Sequence, residues 1–524
     1  MRQLNAHDAA FLDAETPHSN SNLTLVQIYD QSTAPGGTVR FKSILAHIES
    51  RLGELPIFRS KLQRVPLNLD YPYWVDDPNF DLEYHVRHIA LPKPGDWRQF
   101  CIQASRIHSR PLDLNRPLWE VYVVEGLDSL LELPSGSFAL LTKVHQAAVD
   151  ADGGNRLVTL LHDTTPLTPP PAPPRPWFPQ PVPGTAALLL RCGVNSVVAP
   201  LQARTPVARR LVDSAAAAVT FATDLLQRPE QINATRFNSV VSAHRVFDTR
   251  RFPLDEFKRI RNLVPGATVD DAVLAVCSGA LRRYLRSQDE LPHSSLSAIV
   301  PIHARDDQPP AKTAPGQSWL RVELGTQLDG PLQRIEFIRQ QTAASRAGGQ
   351  ALGARELSGS DHHKSNAPLP TVGTLRGLAR VLGSRHAPSA SCTITNVPGP
   401  SVPLYLNGAR MTFFSAIMPI SDGMGLVFAV TTYDGRVIIS PTSCRELIPD
   451  PEAFTQHLRD CFQEYLALAA SAAHAVPQPA PVRSARPRAS APGAKPRSGP
   501  KAGKASTAPR AAPGGRPRSA APGR

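Results

Sequence analysis

The chain has 524 residues, 41 % of them hydrophobic, and a formal charge of +13. At roughly 150 residues per domain this length suggests two or three domains, and the composition excludes a fibrous or wholly disordered chain. The charge is local: Arg483 to Arg524 holds 11 Lys or Arg and no acid, so the remainder carries 13 − 11 = +2 and is close to neutral.

In chain order, MRQLNAHDAAFLDAET lacks the apolar core of a signal peptide, so no export is expected. Phe41, Ile44, Leu45, Ile48 and Leu52 recur at helical spacing, as do Trp97, Phe100, Cys101, Ala104 and Ile107 behind the candidate N-cap Asp96. The turn PLDLNRP leads into a strand, LWEVYVVEG, and Phe138 to Val144 supplies a second apolar strand, so this half reads as alternating α/β. Pro166 to Pro183 then holds ten prolines in 18 residues, a composition that predicts an extended, solvated linker. Thr185 to Leu226 is rich in Ala, Leu and Val and predicts a helical arm. Its most apolar part is interrupted by Arg191 and falls short of the ~20 residues of a membrane-spanning helix, so membrane contact is expected to be peripheral.

The second half opens near Arg236. Thr268 and Asp271 have capping-box spacing before DAVLAVCSGALRRYL, the strand SAIVPI follows, and Cys392 to Thr395 predict a strand stopped by Asn396 to Pro400. Asp434-Gly435 between two β-rich runs predicts a hairpin, and Asp450-Pro451 starts a helix through Phe454, Leu458, Phe462 and Tyr465. From Ala475 the chain lacks apolar residues to bury and is expected to be disordered. The six cysteines form no C-x-x-C pair, which argues against zinc and a disulfide framework and fits a reducing cytosol.

Chemistry points to Phe138–Gly154, FALLTKVHQAAVDADGG, where a strand runs into His145, Gln146 and Asp150 at a glycine-bounded helix start. A buried strand followed by a polar turn is the plain alternative. His85 and His88 read as surface or satisfied histidines, His362-His363 as a solvated loop, and nucleotide-binding and serine-hydrolase motifs are absent.

KVHQAAVDADGG resembles the active-site motif HHxxxDG of the bacterial wax ester synthase/acyl-CoA:diacylglycerol acyltransferase family, within the CoA-dependent acyltransferase superfamily. LNAHDAAFLDAET, FRSKL, PYWVDDPNFDLEYHVRH, GDWRQFC and RPLDLNRPLWEVYVVEGL are similar to its N-terminal blocks. TVDDAVLAVCSGALRRYL, VPIHAR, TNVPGPSVPLYLNGAR, SDGMGLVFAVTTYDG and LIPDPE are similar to later ones, so that the resemblance spans roughly residues 4 to 468. It implies an α/β, two-domain chloramphenicol acetyltransferase-like fold of mixed sheets flanked by helices, with a tunnel between the domains. The expected division is an N-terminal lobe at 1–165, a Pro-rich linker and helical arm at 166–235, a C-terminal lobe at 236–474, and a disordered basic tail at 475–524.

The resemblance also implies transfer of a fatty acyl group from acyl-CoA, as co-substrate and without a further cofactor, to diacylglycerol or a long-chain alcohol. The motif's second histidine is the general base and its aspartate is structural. By position the first histidine is His145, the aspartate is Asp150, and the catalytic histidine falls on Gln146. Ala151, Gly153 and Asp270 are lesser departures from the family's usual residues. A carboxamide cannot take a proton near neutral pH. Three functions are therefore open: a slow or otherwise rescued O-acyltransferase, a non-catalytic lipid- or acyl-CoA-binding relative, and an acyltransferase whose acceptor is already nucleophilic, such as an amine. The basic tail suggests a cytoplasmic protein held peripherally at a membrane or lipid droplet, with nucleic acid as the alternative polyanion.

Overall fold

A computed structural model of the chain describes residues 1–127, 129, 133–134, 136–149, 153–167, 176–202, 234–301, 319–347, 390–400 and 402–475. Met1–Ala475 forms one compact unit. The tail read as disordered lies outside the described residues, as do His362 and His363.

The first half runs β1 (Arg2–Gln3), α1 (Ala6–Asp13), β2 (Asn22–Asp30), α2 (Phe41–Arg51), β3 (Ser60–Gln63), β4 (Tyr73–Asp76), α3 (Leu82–His85), β5 (Val86–Ala90), α4 (Trp97–Ser109), β6 (Trp119–Glu125), β7 (Phe138–His145), α5 (Gly153–Leu161) and α6 (Thr185–Gln202). After it come β8 (Arg245–Phe247), β9 (Arg250–Pro253), α7 (Leu254–Arg261), α8 (Val269–Ser287), β10 (Ser297–Pro301), β11 (Trp319–Glu323), α9 (Pro331–Ala347), β12 (Cys392–Pro398), β13 (Tyr405–Leu406), β14 (Ala409–Ile417), β15 (Val427–Tyr433), β16 (Arg436–Cys444) and α10 (Pro451–Ala475).

Two mixed sheets organise these elements. The first has the order β13-β14-β2-β7-β6-β5, with β5 and β6 parallel and the other pairs antiparallel. Every residue of β7 is buried, as expected of a central strand covered on both faces. Phe138, Leu140 and Val144 point into the layer under α2 and α5, while Ala139 and Leu141 point toward α4. The second sheet has the order β11-β10-β12-β15-β16-β8, with β9 also on β16, and its core is filled from α7, α8 and α10.

The sheets interlock. β14 comes from the second half yet pairs with β2 of the first, Ile417 opposite Thr24, and crosses to the second sheet where the Thr431 hydroxyl donates to the Phe414 carbonyl at 2.7 Å. Buried Asp248 accepts from Trp97 of α4 at 2.7 Å and from Thr455 of α10 at 2.5 Å, so one carboxylate ties helices from both halves.

Local chemistry explains most boundaries. Thr268 and Asp271 make the reciprocal capping box that starts α8, and Asp96 and Gln99 make another at α4. The β15–β16 hairpin turns at Asp434 and Gly435, whose φ values of 47° and 71° are those of a type I′ turn. β12 departs from its expected end: parallel pairing with β15 carries it through Asn396 and Val397 to Pro398, opposite Thr432, so the turn starts later. His85 is buried, its Nδ1 2.7 Å from the Trp119 carbonyl and its ring stacked at 4.6 Å on Trp119, and His88 pairs with Glu125 at 3.0 Å.

Candidate active site

β7 delivers His145 to the sheet's end in a closed hydrogen-bond frame. Asn22 of β2 lies opposite it, its own N–H donates to the Leu118 carbonyl at 3.0 Å, and the next N–H, of Gln146, donates to Ser21 at 2.9 Å. The chain then turns through a single 3-10 turn, Gln146–Ala148, at the point where strand pairing runs out.

The His145 ring is buried and both nitrogens are engaged. Nδ1 accepts the Ala147 N–H at 3.0 Å, and Nε2 lies 3.1 Å from a Glu15 carboxylate oxygen. An amide can only donate, so Nδ1 carries the lone pair and Nε2 the proton, which it donates to Glu15. The same Glu15 oxygen accepts the Ser21 N–H at 2.9 Å. Burial raises the Glu15 pKa, but the His145 and Ser21 hydrogen bonds outweigh it and hold the carboxyl below its ordinary range. A neutral ring in this frame cannot accept a proton at Nδ1 without giving up the Ala147 amide.

Gln146, one residue on, is half-buried, and among the described residues nothing hydrogen-bonds its carboxamide. Asp150 lies outside the described residues. The structure thus brings His145 and Gln146 to one turn but gives them different situations: both His145 nitrogens are engaged, and the half-buried Gln146 carboxamide has no hydrogen-bond partner among the described residues.

This turn sits at the seam of the two sheets. Ser19, four residues beyond Glu15, donates its hydroxyl to the Ile420 carbonyl at 2.7 Å. Arg245 of β8 donates to the His18 carbonyl at 2.8 Å, and the His18 ring lies 3.6 Å from Asp422. The segment bearing Glu15 is therefore gripped by β7 on one side and by the β14–β15 connection on the other.

The faces of β7 differ in chemistry. On the face that carries His145, fully buried Lys143 donates to the Arg110 carbonyl and lies 3.7 Å from Glu120, which also accepts from Tyr122 at 3.0 Å. Burial lowers the Lys143 pKa to about 8 despite the partial support of Glu120. Nearby, buried His108 shares a 2.9 Å hydrogen bond with Thr24; burial, then the charges of Arg245 and Lys143, push its pKa down to about 3, so it is neutral. On the opposite face Leu52, Phe58, Trp119, Thr142, Leu157 and Leu161 line only a narrow, mainly apolar cleft of about 10 Å³.

Sequence reasoning missed Glu15, His108 and Glu120. The one local signal was Lys143, an ammonium inside an otherwise apolar strand, which requires a buried acceptor somewhere. Among the described residues no cluster of three or more His, Cys, Asp or Glu could hold a metal ion.

The family model for the wax ester synthase/diacylglycerol acyltransferase catalytic domain matches residues 4–273, and that for the C-terminal domain of the same family matches residues 317–465. The chain belongs to this family. A Mycobacterium tuberculosis (strain CDC 1551) protein named as a diacylglycerol O-acyltransferase is 32 % identical over 460 residues, 86 % of this chain and 87 % of its own length. The O-acyltransferase WSD of Acinetobacter baylyi is 31 % identical over 482 residues, 88 % of this chain and 96 % of its own. Among solved structures, the wax ester synthase/diacylglycerol acyltransferase of Marinobacter aquaeolei VT8 superposes with a TM-score of 0.62 at 25 % identity, covering 89 % of this chain and all of that one. The fold is thus the two-domain, chloramphenicol acetyltransferase-like one, and the chain is by descent an acyl-CoA-dependent O-acyltransferase.

Proposed function

We propose that this chain transfers a fatty acyl group from acyl-CoA to diacylglycerol or a long-chain alcohol, slowly, with Gln146 occupying the place of the family's general base. The observation that carries the reading is the split between the two neighbours. Both ring nitrogens of His145 are engaged, by Glu15 and the Ala147 amide, whereas among the described residues nothing hydrogen-bonds the Gln146 carboxamide. His145 then shapes the turn and Gln146 hydrogen-bonds the acceptor hydroxyl. The hydroxyl oxygen attacks the thioester carbonyl, the carbon–sulfur bond breaks, and the hydroxyl proton passes through water to the departing CoA thiolate, because Gln146 cannot hold it.

Loss of a general base slows proton transfer by about 10²- to 10⁴-fold, or roughly 3–5 kcal/mol of barrier, while positioning of acyl-CoA and alcohol is retained. No cofactor beyond acyl-CoA as co-substrate is needed. The same carboxamide favours a second reading, a non-catalytic protein of this fold that binds acyl-CoA or lipid; an acceptor that arrives already nucleophilic, such as an amine, is a third. Incubating purified protein with labelled palmitoyl-CoA and hexadecanol, diacylglycerol or a long-chain amine separates them. Slow ester formation supports the first, CoA binding without any product the second, and amide without ester the third.

For location, we propose a cytoplasmic protein held peripherally at an anionic membrane or lipid-droplet surface by its basic tail. Support comes from the 11 positive charges from Arg483 to Arg524 and from the lipid chemistry of the family. Among the described residues no helix is long and apolar enough to cross a membrane. Nucleic acid is the competing polyanion for the tail.

A further inference from the structure

Helix α6 is apolar on both sides, which ordinarily means a buried helix. Here only one side is covered. Leu188 is buried against Val65, Tyr73 and Val75, Cys192 packs beside it, and Asn195 donates to Tyr73 at 3.0 Å and Asp70 at 3.2 Å, so positions 188, 192 and 195 form the docked stripe. The outward side is made of Ala186, Ala187, Leu189, Leu190, Gly193 and Val194, all exposed. Leu189 is 41 % exposed, Leu190 71 % and Val194 50 %.

The turn Pro66–Asn68 continues this surface. The Leu69 carbonyl accepts from the Cys192 thiol at 3.9 Å, which sets the turn against α6. Leu67, at its tip, is 86 % exposed and has φ 57°, and Asn68 follows at φ 52°. Left-handed backbone is unfavourable for a leucine, and here it holds an aliphatic side chain out in water. A cation, Arg191, is exposed on α6 itself, while the nearest acid, Asp70, is engaged by Asn195 on the docked stripe.

We propose that the outward side of α6 and the Pro66–Asn68 turn form a membrane-docking surface, in which Leu67, Leu189, Leu190 and Val194 enter the acyl layer of an anionic phospholipid surface and Arg191 meets its headgroups. The choice of lipid over a protein partner rests on the acyltransferase reading; the uncovered apolar side does not. This surface binds through apolar area and therefore resists salt, unlike the tail.

The test is co-flotation of the full-length protein with phosphatidylglycerol/phosphatidylcholine vesicles in 0.5 M salt, where exposed charges are screened. The wild type retains binding, and Leu67→Asp/Leu190→Asp loses at least tenfold of it while thermal melting and CoA binding stay unchanged. Leu190→Ser, with a smaller loss, serves if the double variant does not fold. The proposal is overturned if the wild type has no salt-resistant binding or if the folded variant keeps it. It is equally overturned if the variant dissociates a dimer in sedimentation, which assigns the surface to a second copy. Solvent protection of the outward side of α6 without vesicles would assign it to the chain's own residues 203–233. Failure of acyl transfer to a short, water-soluble alcohol alongside intact salt-resistant binding counts against the catalytic reading and leaves the docking surface standing.

Discussion

His145 and Gln146 are adjacent in sequence, yet the strand ends between them and their environments diverge. Removing the imidazole leaves the Ala147 N–H and the Glu15 carboxylate without their partner in a largely enclosed place. Hydrogen bonds to charged groups contribute about 1.5–3 kcal/mol, so His145→Ala should lower unfolding free energy by about 2–4 kcal/mol in urea melts, with substrate-independent loss of the fold's stability as the main effect. A variant of wild-type stability that has lost a measurable activity would instead make His145 the replacement base. His108 gives a pH signature. Its folded pKa, about 3, lies below the ordinary histidine value, so between those values the unfolded chain binds the extra proton. Stability is full above about pH 6.5 and falls with acidification, by up to about 1.4 kcal/mol per pH unit for this one group. His162, pushed by burial to about 4, adds in the same direction. Urea melts between pH 7 and 5 should therefore be shallower in their pH dependence for His108→Asn than for the wild type, and equal slopes would remove His108 from the account.

At the scale of elements, the hairpin β15–β16 depends on two left-handed residues. An added Cβ at Gly435 meets nothing within 4 Å, so Gly435→Ala carries only the backbone cost of φ 71°. That cost is about 1–2 kcal/mol, and thermal unfolding should show it without a change in CoA binding. This hairpin, the N-cap of α4, the capping box at α8 and the buried strand β7 were legible because each is specified by residues a few positions apart. The Glu15–His145 pair was not, since its members are 130 positions apart and a glutamate in LNAHDAAFLDAET carries no mark of its partner. Nor could the pattern of β14 show that it would cross to pair with β2, because alternation reports which face is buried and not against what. The end of β12 was misplaced for a related reason. Pro398 cannot donate a ladder hydrogen bond, but a parallel neighbour, β15, still holds the segment extended. The site was read as a position through the resemblance, and its wiring emerged only from the fold.

For the whole molecule, the separation of charge from the folded body matters most. The body is close to neutral and the tail carries 11 cations, so electrostatic attraction to a polyanion should reside almost entirely beyond Ala475. Deleting residues 476–524 should leave the core folded and acyl-CoA affinity unchanged, while binding to phosphatidylglycerol vesicles at low salt falls sharply. In the intact protein that low-salt component should fade as salt rises toward 0.5 M and the Debye length shrinks below ~5 Å. Equal low-salt binding with and without the tail would dismiss the anchoring role, and a tail-dependent gain for nucleic acid alone would reassign it.

The central claim is that only the base is missing from an otherwise organised site. Its most direct test is kcat/KM for Gln146→His beside the wild type, with palmitoyl-CoA and hexadecanol or diacylglycerol, across pH 5 to 8. The account predicts a gain of at least tenfold at pH 8, with a new rise in rate as the introduced imidazole loses its proton near its ordinary pKa of about 6.5, a limb that the wild type lacks. A folded Gln146→His protein that binds CoA and shows neither the gain nor the new limb would contradict it, and would place the divergence in the acceptor pocket as well.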